Sequence, residues 1–114
     1  MTPLAELRTT RHGDAVVAEI VGEVDASNAP QIAGDLRDLV NNRSTRLIVD
    51  LSPTRYLDSA GINLLFSLGE ELRAHQVQLR LVVDPASPVA RMLALTGLDK
   101  ANATFASLSD ALAP

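Results

Sequence analysis

The sequence contains no cysteine and no tryptophan, and its aromatic content is only 3%. Without cysteine there is no disulfide framework and no thiolate metal site, and the composition fits a reducing compartment. Few aromatics together with a net charge of −4 remove the two hallmarks of a nucleic-acid binder, a basic footprint and a set of stacking platforms. No apolar run approaches the ~20 residues of a membrane span. The stretch Met1 to Glu6 has no basic region followed by an apolar run, so no signal peptide is expected and the cytoplasm is the expected location. Phosphate-cradling loops of the GxxxxGK[ST] or GxGxxG kind are missing as well.

Hydrophobic residues make up 46% of the 114 and charged residues 21%, the balance of a globular protein. A chain of this length buries roughly 65% of its extended surface and is expected to form one domain, residues 1–114. Residues about 4 to 10 and 14 to 22 read as an antiparallel hairpin turning at Arg11-His12-Gly13-Asp14, where His-Gly-Asp tolerates positive φ. A first helix follows, with Ser27 as the expected N-cap, Pro30 in the first turn and an apolar stripe of Ile32, Leu36, Leu39 and Val40. Thr45 to Leu51 reads as a buried strand, and Ser52-Pro53-Thr54 and on to Leu57 as a short loop.

Asp58 or Ser59 then caps a second helix whose apolar face carries Ile62, Leu65, Phe66, Gly69 and Leu72. Leu64 and Leu68 fall beside that face, and helix packing is favoured for them over an exposed partner surface. Val77 to Val83 alternates between Val77, Leu79, Leu81 and Val83 on one side and Gln78 and Arg80 on the other. One dry and one wet side place the helices mainly on one face of the sheet. Ser87 and Pro88 start a third helix bearing Val89, Met92, Leu93 and Leu95. Gly97 is expected at its left-handed C-terminus, with Leu98 packing back on Leu93. A short edge strand near residues 103 to 106 and a last helix opened by Ser107 complete the order β-β-α-β-α-β-α-β-α. The expected fold is α/β: a mixed sheet of four to five strands, an antiparallel hairpin followed by parallel β-α-β steps with right-handed crossovers.

Little in this chain can do covalent chemistry. Ser59 as a nucleophile needs a base, and the only histidines are His12, on the hairpin turn, and His75, about 16 residues or ~24 Å along the helix. Leu57 stands where a Gly-x-Ser-x-Gly elbow has glycine. Asp25, Asp50, Asp58 and Glu23 show no metal-ligand spacing with the histidines. Two readings of Ser59 remain. It caps a helix, worth ~1 kcal/mol, or it receives a phosphate at a helix N-terminus, where the dipole and free N–H groups suit an anion. A phosphoserine adds roughly −1.5 to −2 charges and changes what can dock there.

Gly22-Glu23-Val24-Asp25, the strand Leu47 to Leu51, Leu57-Asp58-Ser59-Ala60-Gly61-Ile62 and Leu95-Thr96-Gly97-Leu98 occur in this order across nearly the whole chain. Together they resemble the anti-sigma factor antagonists of the sulfate transporter and anti-sigma factor antagonist (STAS) domain family. The resemblance implies the STAS fold and a bacterial regulator, not an enzyme. Its unphosphorylated form binds an anti-sigma factor that is also a serine kinase, which frees the sigma factor; phosphorylation of Ser59 releases it, and a serine phosphatase resets it. The ATP belongs to the kinase, so no cofactor is expected, nor a direct nucleic-acid or membrane partner; the chain is expected to be a monomer or weak dimer. Asp25, Asp58, Ser59, Ala60, Gly61, Asn63 and Leu64 are the implied partner-binding residues. Asn63 replaces a glycine found in many relatives, and Ala60 leaves a single hydroxyl at the helix start. A scaffold subunit of a signalling or transport complex and a small-molecule or nucleotide binder are the alternatives.

Overall fold

The computed structural model describes residues 3–114; Met1 and Thr2, which open the stretch read for a leader, lie outside the described residues. The chain begins with the expected hairpin, β1 (Ala5–His12) against β2 (Ala15–Val24), turning at Gly13 with φ +64°. α1 (Ala29–Leu39), β3 (Arg46–Asp50), β4 (Thr54–Leu57), α2 (Ser59–Ala74), β5 (Gln78–Val82), α3 (Pro88–Thr96), α4 (Leu98–Ala101), β6 (Ala103–Phe105) and α5 (Leu108–Leu112) follow. The strands form one mixed sheet in the order β1-β2-β3-β5-β6, with β4 also on β2 and every pair but β1·β2 parallel.

The sheet therefore has six strands, not four or five. The extra one is β4, hidden within the segment read as a loop. β2 is long enough to serve two neighbours in succession: Ala15 to Glu19 pair with β3, and Gly22 to Val24 pair with β4. Between them the chain turns at Ser52-Pro53, held by the Ser52 N–H on Asp50 Oδ1 at 2.9 Å and the Thr54 N–H on the Leu51 carbonyl at 3.0 Å. Buried Thr54 then donates its hydroxyl to the Ile20 carbonyl at 2.7 Å.

Gly22 is the joint on the other side. Its φ is +118°, the pairing slips there, and a Cβ would clash with the Leu4 carbonyl oxygen. Its N–H donates to the Pro53 carbonyl at 3.2 Å, while the Glu23 N–H donates to that of Leu4 at 3.1 Å. Only glycine tolerates both the conformation and the approach.

The main core lies between the sheet and α1 to α4, and includes Val16, Ala18 and Ile20 of β2, Leu47 and Val49 of β3, Leu79 and Leu81 of β5, and Leu36, Leu65 and Leu68 of the helices. Leu64 and Leu68 are both buried, as the packing preference required. A smaller cluster of Ala15, Val17, Ile48, Val82 and Ala111 sits on the opposite face beneath α5. The side of β5 expected to be wet is thus partly covered, and its charge is put to use. Arg80 donates to the carbonyls of Ala111 and Ala113 at 2.7 and 2.6 Å, and Arg46 to those of Leu112 and Ala113 at 2.8 and 3.2 Å. Two guanidinium groups thereby satisfy carbonyls that a helix end leaves without intrahelical partners.

Three local expectations change. α1 starts at Ala29 with no side-chain cap, because the Ser27 hydroxyl is bound to Asp25 and the Asn28 side chain to the Asp25 N–H. Gly97 does take φ +80° and Leu98 is fully buried, but Leu98 opens α4, a turn that the sequence pattern did not reveal. Leu95, one of the apolar residues expected along the third helix, is 75% exposed. Gly22→Ala is expected to lower unfolding stability by about 2–3 kcal/mol through the positive φ and the Leu4 clash, read from the midpoint of urea denaturation.

Candidate functional site

Parallel pairing of β2 with β4 brings two stretches to one end of the sheet. Val24 pairs with Leu57, and the Asp58 N–H donates to the Val24 carbonyl at 3.2 Å. Asp25 follows Val24 directly and Asp58-Ser59 follow Leu57, so Asp25 and Asp58, 33 positions apart in the chain, emerge side by side. Ligand and partner sites of α/β sheets favour this location, beyond the carboxyl ends of the strands.

At the start of α2, Asp58 is the cap. Its Oδ1 accepts the Ala60 N–H at 2.9 Å and the Gly61 N–H at 3.2 Å, and its carbonyl accepts the Ile62 N–H at 3.0 Å. Ser59 is the first helical residue and is exposed, and among the described residues its hydroxyl has no hydrogen-bond partner. The capping alternative for Ser59 is thereby removed, since the carboxylate beside it does that work. Gly61 sits where a Cβ would come 2.5 Å from Leu57 Cδ1 and 3.2 Å from Val24 Cγ1, so the helix start lies tight against the ends of both strands.

Asp25 is held in a compact turn. Its Oδ1 accepts the Ser27 N–H at 2.8 Å together with the Ser27 hydroxyl, while its own N–H donates to Asn28 Oδ1 at 2.9 Å. Asn28 reaches across to the Glu23 carbonyl, also at 2.9 Å. The Ser27 hydroxyl, then the Ser27 and Asn28 backbone N–H groups, hold the Asp25 carboxyl below the usual aspartate value. Ser27 and Asn28 are contributors that sequence reasoning did not assign; the Asp-x-Ser spacing of an Asx-type turn was the available signal. Tyr56, half exposed on β4 opposite Glu23, was missed because its segment read as loop.

Of the residues implied to bind a partner, Ser59 and Asn63 are exposed and lie one helical turn apart on one face, which Ser67 and Glu70 extend. Asp25, Asp58 and Ala60 are half-buried at the rim. Gly61 and Leu64 are buried, so they shape this surface from beneath. Both histidines lie away from it: His12 ends β1 at the hairpin end, and His75 follows the last residue of α2. Among the described residues no group of three or more histidine and carboxylate side chains is placed to hold a metal, and no helix is long and apolar enough to cross a membrane.

The STAS domain family model matches residues 6–111. The chain belongs to the STAS domain family. Over 82 residues, 72% of this chain, it is 39% identical to osmosensory protein A of Mycobacterium tuberculosis, about half of whose length (51%) is spanned. It is 33% identical over 101 residues to the anti-sigma-F factor antagonist RsfB of the same species, covering 89% of this chain and 81% of that one. The crystal structure of an anti-sigma factor antagonist from Mycobacterium paratuberculosis superposes with a TM-score of 0.83 at 29% identity, covering 95% of this chain and 91% of the other. The mixed sheet and the helices of this STAS domain are those of a fold in which such antagonists occur.

Two outcomes follow from this geometry. Asp58→Ala is expected to destabilise by about 1 kcal/mol through loss of the cap, whereas Ser59→Ala changes stability by less than about 0.5 kcal/mol; thermal and urea unfolding of both variants decide it. Ser27→Ala removes the largest cause of the Asp25 shift, so the Asp25 pKa measured by carboxyl NMR titration should rise toward the usual aspartate value. A depressed carboxyl pKa contributes stability that is present at neutral pH and lost as pH falls through the folded-state value. The wild type should accordingly lose more stability than Ser27→Ala between pH 4 and the acid limit.

Proposed function

We propose that this STAS domain is an anti-sigma factor antagonist switched by phosphorylation of Ser59. The observation that carries this reading is a serine at the first position of α2 that is exposed and takes no part in the cap. Unphosphorylated, the surface of Asp25, Asp58, Ser59, Ala60 and Asn63 docks on an anti-sigma factor that is also a serine kinase, and the sigma factor is set free. The kinase supplies the ATP and transfers its terminal phosphoryl group to the Ser59 hydroxyl: the new P–O bond forms as the bond to the departing ADP breaks, and the hydroxyl proton is released. A serine phosphatase hydrolyses that bond and restores the binding form. The chain is the substrate in both steps and the enzyme in neither.

The helix start explains how one phosphate can control binding. Asp58 already engages the Ala60 and Gly61 N–H groups, so the phosphate cannot simply take its place in the cap. It remains beside one carboxylate, with Asp25 at the same end of the sheet, adding roughly −1.5 to −2 charges to an already negative surface. Like charge so close disfavours any partner that docks there with acidic or apolar contacts. The core beneath is untouched, so the fold persists while the surface potential changes.

Ser59→Ala is expected to bind the cognate anti-sigma factor but take up no phosphate from it and ATP. Ser59→Asp should bind at least about tenfold more weakly. Calorimetric titration reads the affinities and intact-mass spectrometry the phosphate. Equal affinity of Ser59→Asp and wild type, or a phosphate mapped to another residue, would defeat the proposal.

A further inference from the structure

A cavity of about 320 Å³ lies where the ends of β5 and β6 meet α3 and α4. Val83, Pro85, Ala90 and Leu93 make its lining largely apolar, and Asp99 and Thr104 are its polar members. The volume is about ten times one water's share of liquid, about 30 Å³, and lies at the small end of the range of ligand pockets, about 300–1,000 Å³. Like the Ser59 surface, it sits past the carboxyl ends of parallel strands, but it is built from other elements.

Asp99 is the unusual residue here. Its Oδ1 has no hydrogen-bond partner among the described residues and no contact with solvent, so as placed it is turned away from the open space that the residue lines. Buried polar atoms are nearly always paired, and an ionised carboxylate oxygen is among the costliest to leave without a donor. Arg91 and Lys100 flank the region in sequence, but both are exposed and neither lines the cavity. The lining thus offers one negative charge, one hydroxyl that can accept a hydrogen bond, and apolar walls, with no cation of its own.

We propose that this cavity binds a small organic ammonium ion with at least one N–H. Its charged head would donate to the Asp99 carboxylate, after a small rotation of that side chain, and to the Thr104 hydroxyl. Its short aliphatic body would lie against Val83, Pro85, Ala90 and Leu93. A bulky quaternary ion has the charge but no donor, and a small carboxylate has the wrong sign. The proposal uses no part of the Ser59 switch.

The test is titration of the ¹⁵N-labelled, unphosphorylated full chain with propylammonium chloride at constant ionic strength, followed by amide chemical shifts. Saturable millimolar shifts are expected at Ala90, Asp99 and Thr104, with Ser59 unmoved. Tetramethylammonium should fail to produce them, and Asp99→Asn should weaken propylammonium at least about tenfold. Ala90→Leu keeps the carboxylate but fills the cavity and should abolish binding, which carries the test if Asp99→Asn does not fold. Absence of saturable shifts in the wild type, equal shifts with tetramethylammonium, or unchanged affinity in both variants would overturn the proposal. Because no kinase is present, either result leaves the Ser59 reading to its own experiment.

Discussion

Strand β2 is ten residues long, and no single neighbour covers its inner edge. It pairs with β3 along its first half and with β4 beyond Gly22, so the sheet is jointed at that glycine. The joint has three supports: the positive φ of Gly22, the Gly22 N–H on the Pro53 carbonyl, and the Glu23 N–H on the Leu4 carbonyl. If it failed, Val24 would lose its register with Leu57. Asp25 and Asp58 would then leave the sheet at unrelated places. The candidate site is thus a consequence of strand pairing before it is a matter of side chains.

The two ends of α2 have different duties. At its start Asp58 satisfies the backbone and leaves Ser59 free, so hydroxyl chemistry there is separated from helix stability. Further along, Leu65, Leu68 and Leu72 bury the helix in the core. A charge added at the first position therefore meets a rigid element, and its effect is expressed outward toward whatever docks. Gly61, packed against Leu57 and Val24, brings the helix start close to the strand ends.

On the opposite face, the chain's last helix is held by two arginines that reach its carbonyls from β3 and β5. Arg80 also lies over the Phe105 ring, 5.5 Å from its centroid. Hydrogen bonds from charged donors contribute more than neutral ones, about 1.5–3 kcal/mol each when well formed. They supplement the small apolar cluster beneath α5, which alone is a modest anchor for a five-residue helix.

Much of this was legible in the residues. Alternation in Val77 to Val83, the 3.6-residue stripe of the second helix, the Ser87-Pro88 start and the Gly97 stop are local signals, carried by period and backbone preference within a few positions. The order Gly-Glu-x-Asp, strand, Asp-Ser-x-Gly, Thr-Gly-Leu pointed to the family for the same reason. β4 escaped because four residues after a proline have no period to read, and only β2 makes them a strand. The Ser27 hydroxyl suits an N-cap, but the fold commits it to Asp25 instead. Whether Asp58 or Ser59 caps α2 depended on which side chain turned toward the Ala60 and Gly61 N–H groups, a choice between neighbours that sequence leaves open. Local chemistry named the serine; long-range pairing set it beside Asp25 and left its hydroxyl free.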